Sequence, residues 1–192
     1  MKINTKQVSA ALLVSLLLFS GTWAQKNYRV AKDSEIKVKG TSTVHNWEMI
    51  SRNFDCSASL AEDGGQLKSI SRAVLNLNVE TLRSESDGLN KKAYDALKTK
   101  EIKFASTGFN DIASANGRVT GTVAGNLTIA GVTKPVTFPF EGNMNGEDKI
   151  TIKANYKVNM KDYGIEPPKA MMGMIKSGKD VEIQMYLNLI NQ

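Results

Sequence analysis

The sequence predicts an all-β fold: an eight-stranded antiparallel up-and-down barrel with one short α-helix inserted between its third and fourth strands. Three observations carry this expectation. Apolar and polar residues alternate with period two along most of the chain, the pattern of strands buried on one face only. Clusters of Gly, Asn, Asp and Ser interrupt the alternation at short intervals. A single interval, 84–98, has helical spacing instead. One-faced antiparallel strands taken in sequence order form a meander, and closing the meander on itself removes its exposed edges.

The elements follow in chain order. Met1–Gln7 carries Lys2 and Lys6 and no acid, Val8–Phe19 is an apolar run of 12 residues, and Thr22 and Ala24 place small residues where a signal peptidase reads them. These features describe a secretory signal peptide over residues 1–24, cleaved after Ala24. Twelve apolar residues fall short of the roughly 20 that span a bilayer, and no Cys follows the run to take a lipid anchor. The remainder, 25–192, reads as a single barrel domain.

Ile36 and Val38 alternate with Lys37 and Lys39, and Phe54, Cys56, Ala58 and Leu60 alternate with Asp55, Ser57 and Ser59. Ala73, Leu75, Leu77 and Val79 form the third run. The helical interval comes next. Ser84 with Asp87 resembles a capping box, and Leu89, Ala93, Ala96 and Leu97 fall on one face opposite Lys91, Lys92, Asp95 and Lys98. A strand around Ile102–Ile112 follows. In the next, Val119, Val123, Leu127 and Ile129 share a face with Gly121 and Gly125, glycines that would leave room in the interior. Val136, Phe138 and Phe140, then Ile150 through Val158, then Val181 through Leu189 complete the eight. An irregular insert, Tyr163–Gly178, precedes the last strand and, like the helix, belongs at a barrel mouth. A strand of about 12 residues, tilted by roughly 40°, gives a barrel height near 30 Å.

Composition excludes several functions. The chain has one Cys and one His, so a disulfide framework, a Cys-clustered zinc site and a two-His metal site are all unavailable. The formal charge of +6 falls to +4 once the leader takes Lys2 and Lys6 with it. The remaining lysines are scattered rather than gathered in a stripe, so no nucleic-acid partner is expected. Mild basicity permits at most transient contact with an anionic membrane surface. No catalytic centre is expected either: the sole His45 would have to serve any serine, Cys56 lies in apolar alternation, and the carboxylate pairs sit in turns.

Four motifs in order resemble those of the YceI-like family. Gly125-Asn126-Leu127-Thr128-Ile129-Ala130-Gly131-Val132-Thr133-Lys134-Pro135-Val136 is similar to the family's G-x-L-T-hydrophobic-x-G-V-T-K-x-V signature. Lys100–Ser106 resembles its P-x-I-x-F-x-S element, although the family's Pro is absent here. Gly40–Trp47 looks like its early strand with a single His, and Tyr163–Pro168 ahead of Asp180–Ile183 like its closing element. The resemblance implies a lipocalin-like barrel exported to the periplasm, whose lumen takes a polyisoprenoid or similar long-chain amphiphile such as a quinone or a polyprenyl phosphate. It implies no other cofactor, and leaves a monomer or homodimer open.

Candidate residues follow from the apolar face. Phe54, Leu77, Phe104, Val123 and Leu127 are expected to line the lumen, as are Phe138, Ile152, Tyr156, Ile183 and Met185. The alternative for each is an ordinary filled core. Met171, Met172 and Met174 offer flexible, polarizable surface that can remould around a ligand or close a mouth, or else pack as a short helix. His45 beside Trp47 is the head-group candidate, with a structural role as its alternative; no metal is expected there. Two rival classes remain. An outer-membrane barrel would turn the apolar face outward and crowd Lys37, Lys39, Lys153 and Lys157 inside. An envelope interaction protein would have a barrel filled by its own side chains and no ligand.

Overall fold

In an extended strand successive side chains point to opposite faces, so alternation in the sequence becomes an inside and an outside. The structure, a computed structural model, describes residues 25–146 and 148–192. The leader expected over 1–24 lies outside the described residues. The elements are β1 (Gln25–Val30), β2 (Glu35–Ser42), β3 (Trp47–Ser51), β4 (Asp55–Asp63) and β5 (Gln66–Asn78), then α1 (Asp87–Leu97). After it come β6 (Glu101–Ala115), β7 (Arg118–Ile129), β8 (Val132–Met144), β9 (Lys149–Asn159), the two-residue β10 (Lys169–Ala170) and β11 (Ile175–Asn191).

These strands close into an eight-membered antiparallel ring. β1 and β2 occupy one position and β3 and β4 another, because breaks at 31–34 and 52–54 divide two long strands. β11 completes the ring. One flank pairs with β9 from Asp180↔Asn159 to Ile190↔Lys149; the other pairs with β2 through Met185↔Ile36 and, further along, with β1 through Leu189↔Val30. The eleven pairs between β9 and β11 run about 33 Å along the strand, or about 25 Å of height at a tilt near 40°.

The apolar face is turned inward. Along β9, Ile150, Ala154 and Val158 are buried while Lys149, Lys153 and Lys157 are exposed. β8 alternates without a break from Val136 to Met144. An outer-membrane barrel needs the reverse orientation.

Several local expectations change. β1 reads as polar, QKNYRV, yet Tyr28 is fully buried in it. Phe54 lies in the break between β3 and β4 rather than in a strand, and Val79 opens a 3₁₀ turn over Val79–Thr81. The helix cap is Ser86, whose side chain accepts from the Leu89 N–H, not Ser84. Ser84 is held instead by the buried Asn90, whose Oδ1 accepts from both the Ser84 N–H (2.8 Å) and its hydroxyl (2.9 Å). A side chain committed to that fastening cannot also cap the helix.

Both inserts lie at one end of the barrel. The helix joins the end of β5 to the start of β6, and the 160–174 segment joins the end of β9 to the start of β11. This upper end also carries the 43–46 loop. The lower end carries tight turns. At Asn116-Gly117 both residues have positive φ (52° and 76°), as a type I′ hairpin turn requires.

One seam is incompletely zipped. β5 pairs with β6 only from Val74↔Ala105 to Asn78↔Glu101. Beyond that, register shifts after Ser106 and Asn110 bend β6 away. Two hydroxyls stand in for the missing ladder: the Ala73 N–H donates to Ser106 Oγ (2.8 Å) and the Leu67 N–H to Ser114 Oγ (3.1 Å).

Candidate functional site

Among the described residues, three apolar chambers of about 100, 70 and 100 Å³ lie in file along the barrel axis. The lower one lies behind the β5–β6 seam, between Cys56, Ile70, Ala73, Phe109, Val123 and Ile152. The middle one is enclosed by Ile36, Leu77, Leu127 and Tyr156. It shares Leu75, Phe104, Phe138 and Met185 with the chamber below, and Val38, Leu82, Ile102 and Ile183 with the chamber above. The upper one is roofed by the helix face Leu89, Ala93, Ala96 and Leu97 and walled by Trp47, Met160, Ile165 and Pro168. Among the described residues no charged side chain lines any of the three.

An aromatic column runs through the neck between the lower and middle chambers. Phe138 stands 5.5 Å from Phe104 and 5.4 Å from Tyr156, measured between ring centroids. The glycines of β7 seat these rings rather than leaving free space. A Cβ on Gly125 would meet Phe104 Cε2 and Cζ at 2.5 Å, and one on Gly121 would meet Phe140 Cζ at 2.8 Å. Rings reaching across from β6 and β8 fill the room that the glycines open. The lumen is therefore narrower than β7 alone implies.

The predicted residues distribute as follows. Leu77, Phe104, Val123, Leu127, Phe138, Ile152, Tyr156, Ile183 and Met185 all line the lower or middle chamber, Ile183 also reaching the upper. Phe54 is buried in the core beside them. Trp47 lines the upper chamber; its ring fills the space that a side chain at Gly40 would need, and its Nε1–H donates to the Thr41 carbonyl (3.0 Å). His45 faces solvent in the neighbouring loop, with Nδ1–H donating to the Asn46 carbonyl (2.9 Å). Met171, Met172 and Met174 stand outside the upper mouth, exposed to 64, 105 and 72%. Among the described residues no group of three or more His, Cys, Asp and Glu side chains could hold a metal.

The upper chamber was only half legible. The apolar helix face is visible in the sequence, but nothing local says which barrel end it roofs. Cys56 and Tyr163 are among the buried polar side chains. Burial pushes the Cys56 thiol up to about 12, which makes it an inert apolar wall. Burial also pushes Tyr163 up to about 12, assisted by Tyr156 and Asp162, and its hydroxyl is buried without a hydrogen-bond partner among the described residues.

Comparison with known proteins adds four findings. The family profile described as the YceI-like domain matches residues 23–189. A UPF0312 protein of Pseudomonas putida (strain W619) is 28% identical over 179 residues, covering 86% of this chain and 90% of that protein. Among solved structures, Burkholderia cenocepacia BcnA superposes with a TM-score of 0.65 at 16% identity, covering 83% of this chain and 98% of that one. A polyisoprenoid binding domain from Saccharophagus degradans, implicated in plant cell wall breakdown, gives 0.64 at 13% identity, covering 88% and 100%.

Proposed function

The chain belongs to the YceI-like family, and on that premise we propose that it is a lipid carrier, holding the isoprenoid tail of a long-chain amphiphile along the barrel axis. The observation that carries this reading is the shape and chemistry of the lumen. Three chambers in file, walled by aliphatic and aromatic side chains, suit a long thin chain and not a compact ligand. The polyisoprenoid binding of the Saccharophagus degradans relative supports the ligand class. Each methylene moved from water into such a lumen contributes about 0.8 kcal/mol, so a tail of modest length binds without ionic contacts. Binding is the role these walls suit, since they are almost wholly aliphatic and aromatic and carry, among the described residues, no Asp, Glu, His or Lys side chain.

Small chamber volumes favour one rival, a barrel filled by its own side chains. Loading then requires ring movements at Phe104 and Phe138. The leader expected over residues 1–24 supports a periplasmic carrier, in a compartment where a quinone or polyprenyl phosphate has to be shielded from water. The test is to express the full chain with its leader, purify it from periplasmic extract without detergent, and extract it with organic solvent. Mass spectrometry should find a stoichiometric isoprenoid. Protein that comes out empty and takes up no long-chain isoprenoid on incubation overturns the proposal.

A further inference from the structure

Two loops at the upper end expose apolar side chains that nothing in the fold requires. Val44 is 65% exposed, and with Met171, Met172 and Met174 it makes up most of the large exposed hydrophobics among the described residues. The loops form one patch. The Thr43 N–H donates to the Lys176 carbonyl (3.0 Å), the Lys176 N–H to Thr43 Oγ1 (3.2 Å), and Thr43 Oγ1–H to the Met174 carbonyl (3.4 Å).

The tip carries two local costs. Met171, Met172 and Gly173 are consecutive left-handed residues (φ 49°, 56° and 90°), and for the two methionines that conformation strains the backbone. It also throws their side chains outward. At its base Lys169 and Lys176 sit directly opposite each other across the β10–β11 pair, a like-charge arrangement that repels. A third ammonium joins them, since Lys92 Nζ donates to the Lys169 carbonyl (3.0 Å). Glu166 and Asp180 lie nearby in sequence, but among the described residues no carboxylate pairs with any of the three lysines.

We propose that this tip docks the upper mouth of the barrel onto an anionic phospholipid bilayer, the methionines and Val44 entering the headgroup boundary and Lys92, Lys169 and Lys176 meeting lipid phosphates. Exposed flexible apolar side chains ringed by unpaired cations match an interfacial anchor in both chemistry and order. The patch is a projecting tip, not a groove, so it suits a fluid surface better than a shaped protein partner. Pro168, Ile165 and Ser177 beside the tip line the upper chamber. A docked barrel therefore sets its lumen against the bilayer. The docking surface does not depend on what the lumen holds.

The test uses the purified protein with vesicles of phosphatidylglycerol and phosphatidylethanolamine, or of phosphatidylcholine alone, in a sedimentation assay. Binding is expected to the anionic vesicles and to weaken with salt. Lys169→Gln with Lys176→Gln should lower partitioning about 25-fold, near fivefold per lysine. Replacing Met171, Met172 and Met174 with Ser should lower it roughly tenfold or more, with the melting temperature unchanged or raised. Met172→Cys labelled with an environment-sensitive fluorophore, which the buried Cys56 will not take up, should shift to the blue on anionic vesicles only. Absence of binding by the unaltered protein, undiminished binding by the serine variant, or no blue shift overturns the proposal. So does loss of self-association in the serine variant while vesicle binding persists, since the tip would then be a contact between copies.

Discussion

Gly125→Ala should close the neck of the lumen. Its added Cβ would lie 2.5 Å from Phe104 Cε2 and Cζ and 2.6 Å from the Ala105 carbonyl oxygen, against 3.5–4.0 Å for an ordinary carbon contact. The ring has to retreat by about 1 Å or more, and the open direction is inward, where Phe104 already borders both the lower and middle chambers. Overpacking of this kind costs about 1–3 kcal/mol, which for a domain of this size lowers the melting temperature by about 2–12 °C. Phe104→Leu shortens the intruding side chain. The double variant should therefore be less destabilised than the sum of the singles, by about 0.5–1 kcal/mol. Part of the cost persists because the carbonyl contact remains. Urea denaturation of the four proteins measures the coupling, and uptake of a long-chain isoprenoid, lost in Gly125→Ala and recovered in the double variant, measures the passage. Additive stabilities together with undiminished uptake by Gly125→Ala would refute the idea that Gly125 seats the ring.

Three further outcomes are expected. Ser106→Ala removes the acceptor of the Ala73 N–H, so that amide should exchange faster with solvent while amides in the Val74–Asn78 ladder stay protected; equal protection at Ala73 in both proteins would show that the hydroxyl does not hold the seam. Tyr163→Phe deletes a buried hydroxyl that lacks a partner and should stabilise the unloaded protein by about 1–3 kcal/mol, read from the urea midpoint; a loss of that size counts against the assignment. The third concerns pH. Burial holds the Cys56 thiol at about 12, whereas an unfolded thiol titrates near 8.5, so above about pH 8.5 the unfolded chain binds fewer protons than the folded one. Stability from this group is complete below pH 8.5 and falls by about 1.4 kcal/mol per pH unit up to about pH 12. Tyr28 and Tyr163, also pushed up to about 12 by burial, act with the same sign from about pH 10. Cys56→Ala should flatten the fall between pH 8.5 and 10, and an identical pH profile in both proteins would refute it.

Legibility followed the range of the interactions. β8 and β9 could be read residue by residue, since inside and outside are properties of adjacent side chains. β1 could not, because its polar stretch is held by pairing with β4 and β11, far away in sequence. The helix face Leu89, Ala93, Ala96 and Leu97 was visible, but its cap is Ser86 and not Ser84, whose side chain is held by Asn90, a contact that the spacing of Ser84 and Asp87 does not reveal. Nine of the lining candidates reach a chamber for the same reason that β8 was readable. The methionines did not, since hydrophobicity alone does not say whether a loop residue turns in or out.

By itself the sequence determined the class of fold, the inward face of the strands that alternate clearly, the helix and the resemblance that identifies the family. These rest on period and on short motifs, which a single strand or turn expresses locally. Tertiary structure decided that β11 closes the ring against both β2 and β1, that both inserts crowd one mouth, and that Phe104 and Phe140 occupy the room above Gly125 and Gly121. It also decided that the interior is a file of narrow chambers and not one open cavity. Volume inside a barrel is the difference between what opposing strands contribute, and no strand carries that difference alone.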